Sequence, residues 1–588
     1  MSGHDVTTSF AVALVDELAR NGLRHAVLSP GSRNTPLALA LARDDRVLLD
    51  VVIDERSAGF RALGIGMASG GPALVCCTSG TAAVNLHPAV VEAHHACVPL
   101  LVATADRPPE LRDWGAGQTI DQHALYGDAV RWFHDPGPPR DAPGAPAQWR
   151  ALACRAFAAA SGGPAAPAGP VHMNLPFREP LVPTGEPMLD APGRPGGAPW
   201  ARTTRARARL APDDTARLAE VVRAHPRGLV VAGPGAGASA DVVDRFATAA
   251  RWPVFADPLS QLRRGSSAVS CYEAIVRAAG FADAHRPAFV LRLGAPITSK
   301  AANAWLEGVP QVVVDPGGRR LDPTRDAAEQ VIADPDQALD AIAGTLGDDA
   351  GDDVWWEAWL GAESRVRSAI DAVLDASEPC EAQVARDLAA AVPDGTNLVV
   401  ASSLPVRALE WAMAPRDGIR VFANRGANGI DGFVSTAAGV ATAASGPTVA
   451  LCGDLCFLHD TNGLMNLPRG VDLTYVVIDN DGGGIFSYLP QAPLPEFEQL
   501  FGTPHGLDLV EVARAHGVDA VRADRPLGTA AGPVAGARVV VVPVDRAAGV
   551  SRHRALWDAA VTALAGDTRV ASGSHFSSPQ ASSPPPSS

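Results

Sequence analysis

Two short stretches carry donors of one chemical kind. In TVALCGDLCF an apolar run ends at Gly453, and the next residue is Asp454, a carboxylate with no Lys or Arg close by in sequence. Twenty-six residues on, LTYVVIDNDGGGIF ends a second apolar run at Asn480, followed by Gly482, Gly483 and Gly484. A lone Gly-Asp is an ordinary strand-ending turn. If the two runs are neighbouring strands of one parallel sheet, however, Asp454 and Asn480 share the carboxyl end, where such sheets bind ligands. A carboxylate, an amide oxygen and the backbone carbonyl at Gly482 are hard oxygen donors. They suit Mg2+, or Mn2+ in its place, and leave positions for water and phosphate oxygens. The expected ligand is a diphosphate held through the metal, with N–H groups of a helix starting near Phe457 adding to the grip.

Other charged residues also fall at the ends of strand-like runs. VVIDERSAGF puts Glu55 there, and a lone DER reads as a surface Glu paired with Arg56 or Arg61. Arg33 (SPGSR), Arg107 (ADRP), Arg407 (SSLPVR) and Arg425 (NRGANG) all lie at or just beyond strand-like runs. Arginine suits bidentate carboxylate pairing, although a single Arg in so Arg-rich a chain is more simply a surface ion pair. Of 49 Lys plus Arg, one is a lysine, Lys300 in GAPITSKAANAW. It is either a neutral relic or an ammonium kept for a task. His94-His95 fall in the apolar helix VNLHPAVVEAHHACV and are read as packing or surface.

These groups need strand ends to hold them, and the chain supplies them in three segments. Short β-branched runs alternate with helical patterns, which predicts α/β architecture with doubly wound parallel sheets. The expected domains are 1–185, 186–345 and 346–566, with 186–200 as a Pro/Gly/Ala-rich linker and 567–588 as a disordered Ser/Pro tail. GPGAGA in the second domain fits a dinucleotide fingerprint poorly. The first helix is amphipathic and ends at Asn21-Gly22; it is not a signal peptide, and no run is long enough to cross a membrane. At 588 residues, with 47% hydrophobic and 19% charged residues, the chain can bury several cores. A net charge of −15 argues against nucleic acid and anionic membrane as partners. Eight scattered cysteines, none spaced for zinc, read as free thiols in a reducing cytosol, so the expected location is cytoplasmic.

The GD…N spacing, Glu55 after its strand and the turn TSGTAAVN together resemble the thiamine-diphosphate enzymes. GDL stands where many members have GDG, and Asn480-Asp481 where a second Asn is frequent. More narrowly, SPGSRNTPLALA, DERSAGFRALG, TSGTAAVNLHPAVVEA, ADRPPELRDWGAGQTID, GPVHMNLPFREPL, NRGANGIDG and NDGGGIFSYLP resemble the 2-succinyl-5-enolpyruvyl-6-hydroxy-3-cyclohexene-1-carboxylate synthases of menaquinone biosynthesis. The resemblance spans roughly 5–500. It implies a pyrimidine-binding, a central and a diphosphate-binding domain, thiamine diphosphate with Mg2+ or Mn2+, and a homodimer or homotetramer. The implied reaction decarboxylates 2-oxoglutarate and adds the succinyl-semialdehyde carbanion 1,4 to isochorismate.

By the same resemblance, Glu55 works against the cofactor's aminopyrimidine, with Arg33, Gln118 and Arg407 also catalytic. Ser32, Arg33, Arg107, Lys300, Ser403, Arg407, Arg425, Ile485 and Phe486 meet substrate or intermediate. Thr78, Ser79, Gly80, Asp454, Leu455, Asn480, Gly483, Gly484 and Ile485 meet the cofactor, and Asp454, Asn480 and Gly482 the metal. Four arginines at motif positions outweigh the surface-pair reading. Members often carry a second basic residue after the lysine, where this chain has Ala301. Two alternatives stay open: another thiamine lyase, such as an acetolactate synthase, and a non-catalytic homologue acting as a binding subunit.

Overall fold

The structure, a computed structural model, describes residues 5–163, 166–185, 188–347, 351–376, 379–523 and 534–565. The expected tail, 567–588, lies outside the described residues. The described residues form three six-stranded sheets in which every strand pair is parallel. The first holds β1 (His25–Leu28), β2 (Leu48–Val51), β3 (Ala73–Cys77), β4 (Leu100–Asp106), β5 (Trp132–His134) and β6 (Pro170–Pro176). The second holds β7 (Gly228–Ala232), β8 (Val254–Ala256), β9 (Ala268–Val269), β10 (Phe289–Leu293), β11 (Gln311–Val314) and β12 (Ala327–Val331). The third holds β13 (Asn397–Val400), β14 (Arg420–Phe422), β15 (Thr448–Gly453), β16 (Asp472–Asp479), β17 (Asp519–Arg522) and β18 (Gly536–Pro543). Central strands such as ALVCC and NLVV are buried along their whole length, as expected where helices cover both faces.

The first and third sheets are wound alike: β2-β1-β3-β4-β6-β5 and β14-β13-β15-β16-β18-β17. In each, the chain leaves its first strand on one side and returns on the other, which opens a crevice at the carboxyl ends of β1 and β3, or of β13 and β15. SPGSR and TSGT line the first crevice, and SSLPVR and Gly453-Asp454 the other. The middle sheet runs β12-β11-β10-β7-β8-β9, an order shared with dinucleotide-binding sheets. Its crevice is filled by the chain itself: Ala295 N–H donates to the Pro234 carbonyl at 3.0 Å, and a Cβ on Gly233 would lie 1.7 Å from Ala295 O. The space a pyrophosphate needs is taken up by backbone.

Equivalent helices of the first and third domains, Glu55–Ser69 and Phe433–Ala443, pack against each other. Glycines make the approach possible in a reciprocal way. A Cβ on Gly64 would lie 2.1 Å from Thr436 O, and one on Gly439 would lie 2.1 Å from Arg61 O. Buried polar bonds fasten the seam. Arg61 pairs with Asp50 at 2.8 Å and donates to the Asn466 carbonyl at 2.9 Å. The Asp460 carboxylate accepts from Ser57 Oγ at 3.1 Å and from Ser435 N–H at 2.7 Å.

The expected linker is not a free strap. Ala191 O accepts from Arg150 at 2.7 Å, Trp200 N–H donates to Glu17, and Leu189 and Ala191 pack on the first core. A Pro/Gly-rich chain can lie along a surface when buried cations hold its carbonyls. Seven of the eight cysteines are buried and all are free, and no helix among the described residues is long and apolar enough to cross a membrane.

Candidate active site

The first domain gathers one set of predicted residues. Gly31 lets SPGSR lie against TSGT, since a Cβ there would sit 2.4 Å from the Thr78 Cβ. The Ser32 carbonyl accepts the Thr35 N–H at 3.2 Å, closing the turn that presents Arg33. Arg33 is buried, donates to the Phe177 carbonyl at 3.0 Å and lies 3.2 Å from the exposed Glu179 carboxylate. Ser79 Oγ donates to Gln118 O at 3.0 Å, and Gln118 Nε2 donates to Ser79 O at 2.9 Å. Arg107 donates to Ser79 Oγ. Gly80 takes a φ of +83°, and its N–H donates to the buried Gln122 at 2.9 Å. Burial, and then the neighbouring Arg33 guanidinium, lower the proton affinity of Arg107.

Glu55 is the first residue of its helix, half-buried, with Asp54 capping the helix by accepting the Arg56 N–H at 2.9 Å. Its charge reaches Cys77 at the end of β3 and adds to the burial that raises that thiol. The pairing alternative finds no support: Arg56 donates to the His459 carbonyl at 2.9 Å, and Arg61 is engaged with Asp50.

In the third domain β15 and β16 are adjacent and parallel, with Gly453 opposite Ile478, so Asp454 and Asn480 do share one strand end. The helix there begins at Asp454 itself and runs only to His459, three residues earlier than the expected start at Phe457. Asp454 is buried. Its Oδ1 accepts the Leu455 N–H at 2.6 Å, and its Oδ2 accepts N–H groups of Gly482 at 2.8 Å and Asn480 at 3.2 Å. Burial raises its proton affinity above the ordinary carboxylate range. Asn480 Nδ2 donates to Glu381 at 3.2 Å, while Asn480 Oδ1 is buried with no hydrogen-bond partner.

The glycine turn is forced by close approach. A Cβ on Gly482 would lie 1.9 Å from Gly502 O, and one on Gly483 would lie 2.1 Å from Phe501 O. Gly484 lies against the Asn480 amide, and the short helix Gly484–Tyr488 carries Ile485 and Phe486; Phe486 packs on Phe501 at 5.6 Å between ring centroids. Asp481, in place of the more frequent Asn, accepts the N–H groups of His505 at 3.0 Å and Gly506 at 2.9 Å and so anchors that loop. The loop brings in His505, whose Nε2 is unpartnered and 3.5 Å from Asp454 Oδ2. Ligand atoms of Asp454, Asp479 and His505 all lie within 4.8 Å of one another. An unpaired buried amide oxygen beside a buried carboxylate fits a hard divalent cation.

A third set lies where the middle and third domains meet. Ser403 takes a φ of +73° just before the helix Leu404–Ala412, and Arg407 on that helix donates to the Ser403 carbonyl. Burial, and then the neighbouring Arg425 charge, lower the proton affinity of Arg407; burial lowers that of Arg425 as well. The Arg425 loop is held from the first domain by Glu92, whose two oxygens accept the N–H groups of Gly426 at 2.6 Å and Ala427 at 2.7 Å. Lys300 is exposed and opens the helix Lys300–Trp305. The residue before it, Ser299, donates to Glu273, a carboxylate whose charge also reaches Arg407.

The structure thus gathers Ser32, Arg33, Thr78, Ser79, Gly80, Arg107 and Gln118 in one place and Asp454, Leu455, Asn480 and Gly482–Ile485 in another. Arg407 and Arg425 form the third. Among the described residues, no hydrogen bond or ion pair links the first set to the other two. Glu92, Glu381 and His505 were not anticipated. Each lies well separated in sequence from the group it touches, and no local pattern marks it.

Residues 8–125 match the family described as "Thiamine pyrophosphate enzyme, N-terminal TPP binding domain". Residues 196–400 match "Middle domain of thiamine pyrophosphate", and residues 411–537 match "Thiamine pyrophosphate enzyme, C-terminal TPP binding domain". The chain is therefore a thiamine-diphosphate enzyme. It is 44% identical to a 2-succinyl-5-enolpyruvyl-6-hydroxy-3-cyclohexene-1-carboxylate synthase of Thermobifida fusca, over 95% of this chain and 99% of that one. Synthases of the same name from Myxococcus xanthus (42%, covering 95% and 98%) and Saccharopolyspora erythraea (43%, covering 95% and 100%) are similar over the same extent. Within the thiamine enzymes, the chain belongs to that synthase family.

Proposed function

We propose that the protein joins 2-oxoglutarate, with loss of CO2, to isochorismate, forming 2-succinyl-5-enolpyruvyl-6-hydroxy-3-cyclohexene-1-carboxylate for menaquinone biosynthesis. The observation that carries this reading is the paired cations. Arg107 beside Arg33 and Arg407 beside Arg425 are partly buried, and among the described residues Arg107, Arg407 and Arg425 have no ion-pair partner. Two substrates with two carboxylates each supply the missing charge, and a smaller 2-oxo acid such as pyruvate supplies less of it.

Bound thiamine diphosphate would supply the carbon nucleophile and electron sink that decarboxylation and carbon–carbon bond formation need. Asp454, the Asn480 amide oxygen and the Gly482 carbonyl would hold Mg2+ or Mn2+ for its diphosphate, with Leu455, Gly483 and Gly484 beside it. Glu55 would hold a proton at a pyrimidine ring nitrogen, next to Thr78, Ser79 and Gly80. Arg33, Arg107 and Gln118 orient the isochorismate carboxylates; Gln118 is fixed by its two bonds to Ser79. Ser403, Arg407, Arg425 and Lys300 receive the carboxylates of the 2-oxo acid, and Ile485 and Phe486 wall off water. Two copies complete each site, as a homodimer or a pair of dimers, in the cytoplasm. In support, exposed apolar residues Leu48, Val51 and Ile53 flank Glu55, and Trp114 is 83% exposed on the loop carrying Gln118.

The test supplies purified protein with thiamine diphosphate and Mg2+ and follows isochorismate with 2-oxoglutarate or with pyruvate. Loss with 2-oxoglutarate alone, abolished in Glu55→Gln, is expected. Equal loss with pyruvate would point to a simpler thiamine lyase, and no loss with either would overturn the substrate assignment.

A further inference from the structure

The reaction leaves one buried acid beside the metal ligands without a task. Glu381 opens the helix Glu381–Ala391, almost a hundred residues before Asn480, and is 3% exposed. Its Oε1 accepts the Asn480 Nδ2–H at 3.2 Å. Its Oε2 is packed against backbone: a Cβ on Gly549 would lie 2.6 Å from it and 3.1 Å from Tyr488 Oη. Gly549 therefore leaves the carboxylate just the room it occupies.

An amide has two ends of nearly equal size, and only its oxygen can bind a cation. A carboxylate can accept only from the nitrogen end. Glu381 thus settles the flip of Asn480 and leaves Oδ1 as the free end, buried and without a hydrogen-bond partner. The backbone of Asn480 is meanwhile tied to Asp454 through its own N–H at 3.2 Å. One residue is fixed at both ends, and its one unsatisfied side-chain polar atom is an oxygen.

We propose that Glu381 is the positioning residue of the metal site, acting through Asn480 by holding the amide with its oxygen free for the cation. The inference rests on the reading of Asp454 and Asn480 as the metal–diphosphate anchor. The plain alternative is an acid that merely suits its own helix N-terminus.

The experiment titrates Mg2+ into full-length protein with thiamine diphosphate by calorimetry, repeated with Mn2+ by electron paramagnetic resonance. No substrate is present. Outer partners of metal ligands typically contribute about 10- to 100-fold in affinity, so Glu381→Leu should weaken both metals by that factor. Glu381→Gln keeps an acceptor oxygen and should stay within about threefold. In an Asn480→Ala background, Glu381→Leu should add almost nothing, because its route to the metal is gone. If Glu381→Leu does not fold, Glu381→Met takes its place. Wild-type affinity in Glu381→Leu, an equal loss in Glu381→Gln, or the full effect persisting without Asn480 would each overturn the proposal. A wild-type protein that binds no metal with the cofactor would instead bring down the anchor reading, and this inference with it.

Discussion

Replacing Glu92 by Gln should damage catalysis from a position outside the reaction centre. The Glu92 carboxylate is buried and accepts two backbone N–H groups, from Gly426 at 2.6 Å and Ala427 at 2.7 Å, in the loop that presents Arg425. Gln keeps one oxygen and turns an NH2 toward the other N–H. A hydrogen bond to a charged acceptor contributes about 1.5–3 kcal/mol and a neutral one about 1, so the loop loses roughly 2–5 kcal/mol of restraint. If all of that reached Arg425, kcat/KM would fall by roughly 30- to 4,000-fold, at about 1.4 kcal/mol per tenfold. The loop is also held by its covalent ends, so that range is a ceiling, and a loss of at least about tenfold is expected. Steady-state kinetics with both substrates measures it, and a titration of thiamine diphosphate and Mg2+ should show unchanged cofactor binding. Wild-type kcat/KM in Glu92→Gln would refute the reasoning.

Three further outcomes follow from other parts of the molecule. Gly439→Ala puts a Cβ 2.1 Å from Arg61 O and should cost about 1–3 kcal/mol by overpacking the seam between the first and third domains, seen as a lower thermal midpoint; an unchanged midpoint would contradict the described helix contact. His172 is fully buried, with Nε2 2.7 Å from Thr104 Oγ1, and burial holds its pKa down to about 3. Its contribution is intact above the unfolded value near 6.5 and is lost as pH falls toward about 3, because only the unfolded chain takes up the proton there. Moving from pH 7 to pH 5 should therefore remove about 2 kcal/mol through this residue, and His172→Gln should lose that much less in chemical denaturation over the same interval. Finally, co-expressed Glu55→Gln and Asp454→Ala chains, each inactive alone, should regain about a quarter of wild-type activity, since half of random dimers carry one intact site; no recovery would place both residues in a site within one chain.

The central strands were legible in the sequence because they are continuous apolar runs bounded by glycine, as in TVALCG and LTYVVID. Their adjacency, on which the metal reading depended, follows from the winding of a doubly wound sheet. The short edge strands β5, β9, β14 and β17 were not legible, since two to four residues leave no periodicity to read. The helix expected near Phe457 starts at Asp454 because the carboxylate itself takes the first helical position. Glycine-rich GPGAGA, a poor fit to a dinucleotide fingerprint, packs its backbone against Ala295. What sequence could not reveal was the support for the site. Glu92, Glu381 and His505 each reach a functional loop across a distance in sequence that only the fold closes.

The most direct measurement follows 2-oxoglutarate labelled at its 1-carboxyl together with isochorismate, counting released CO2 against coupled product by mass spectrometry. One CO2 should be released per product, whose mass equals isochorismate plus 2-oxoglutarate less CO2, and only with thiamine diphosphate and a divalent metal present. Release of CO2 with isochorismate left unconsumed and free succinic semialdehyde accumulating would contradict the account.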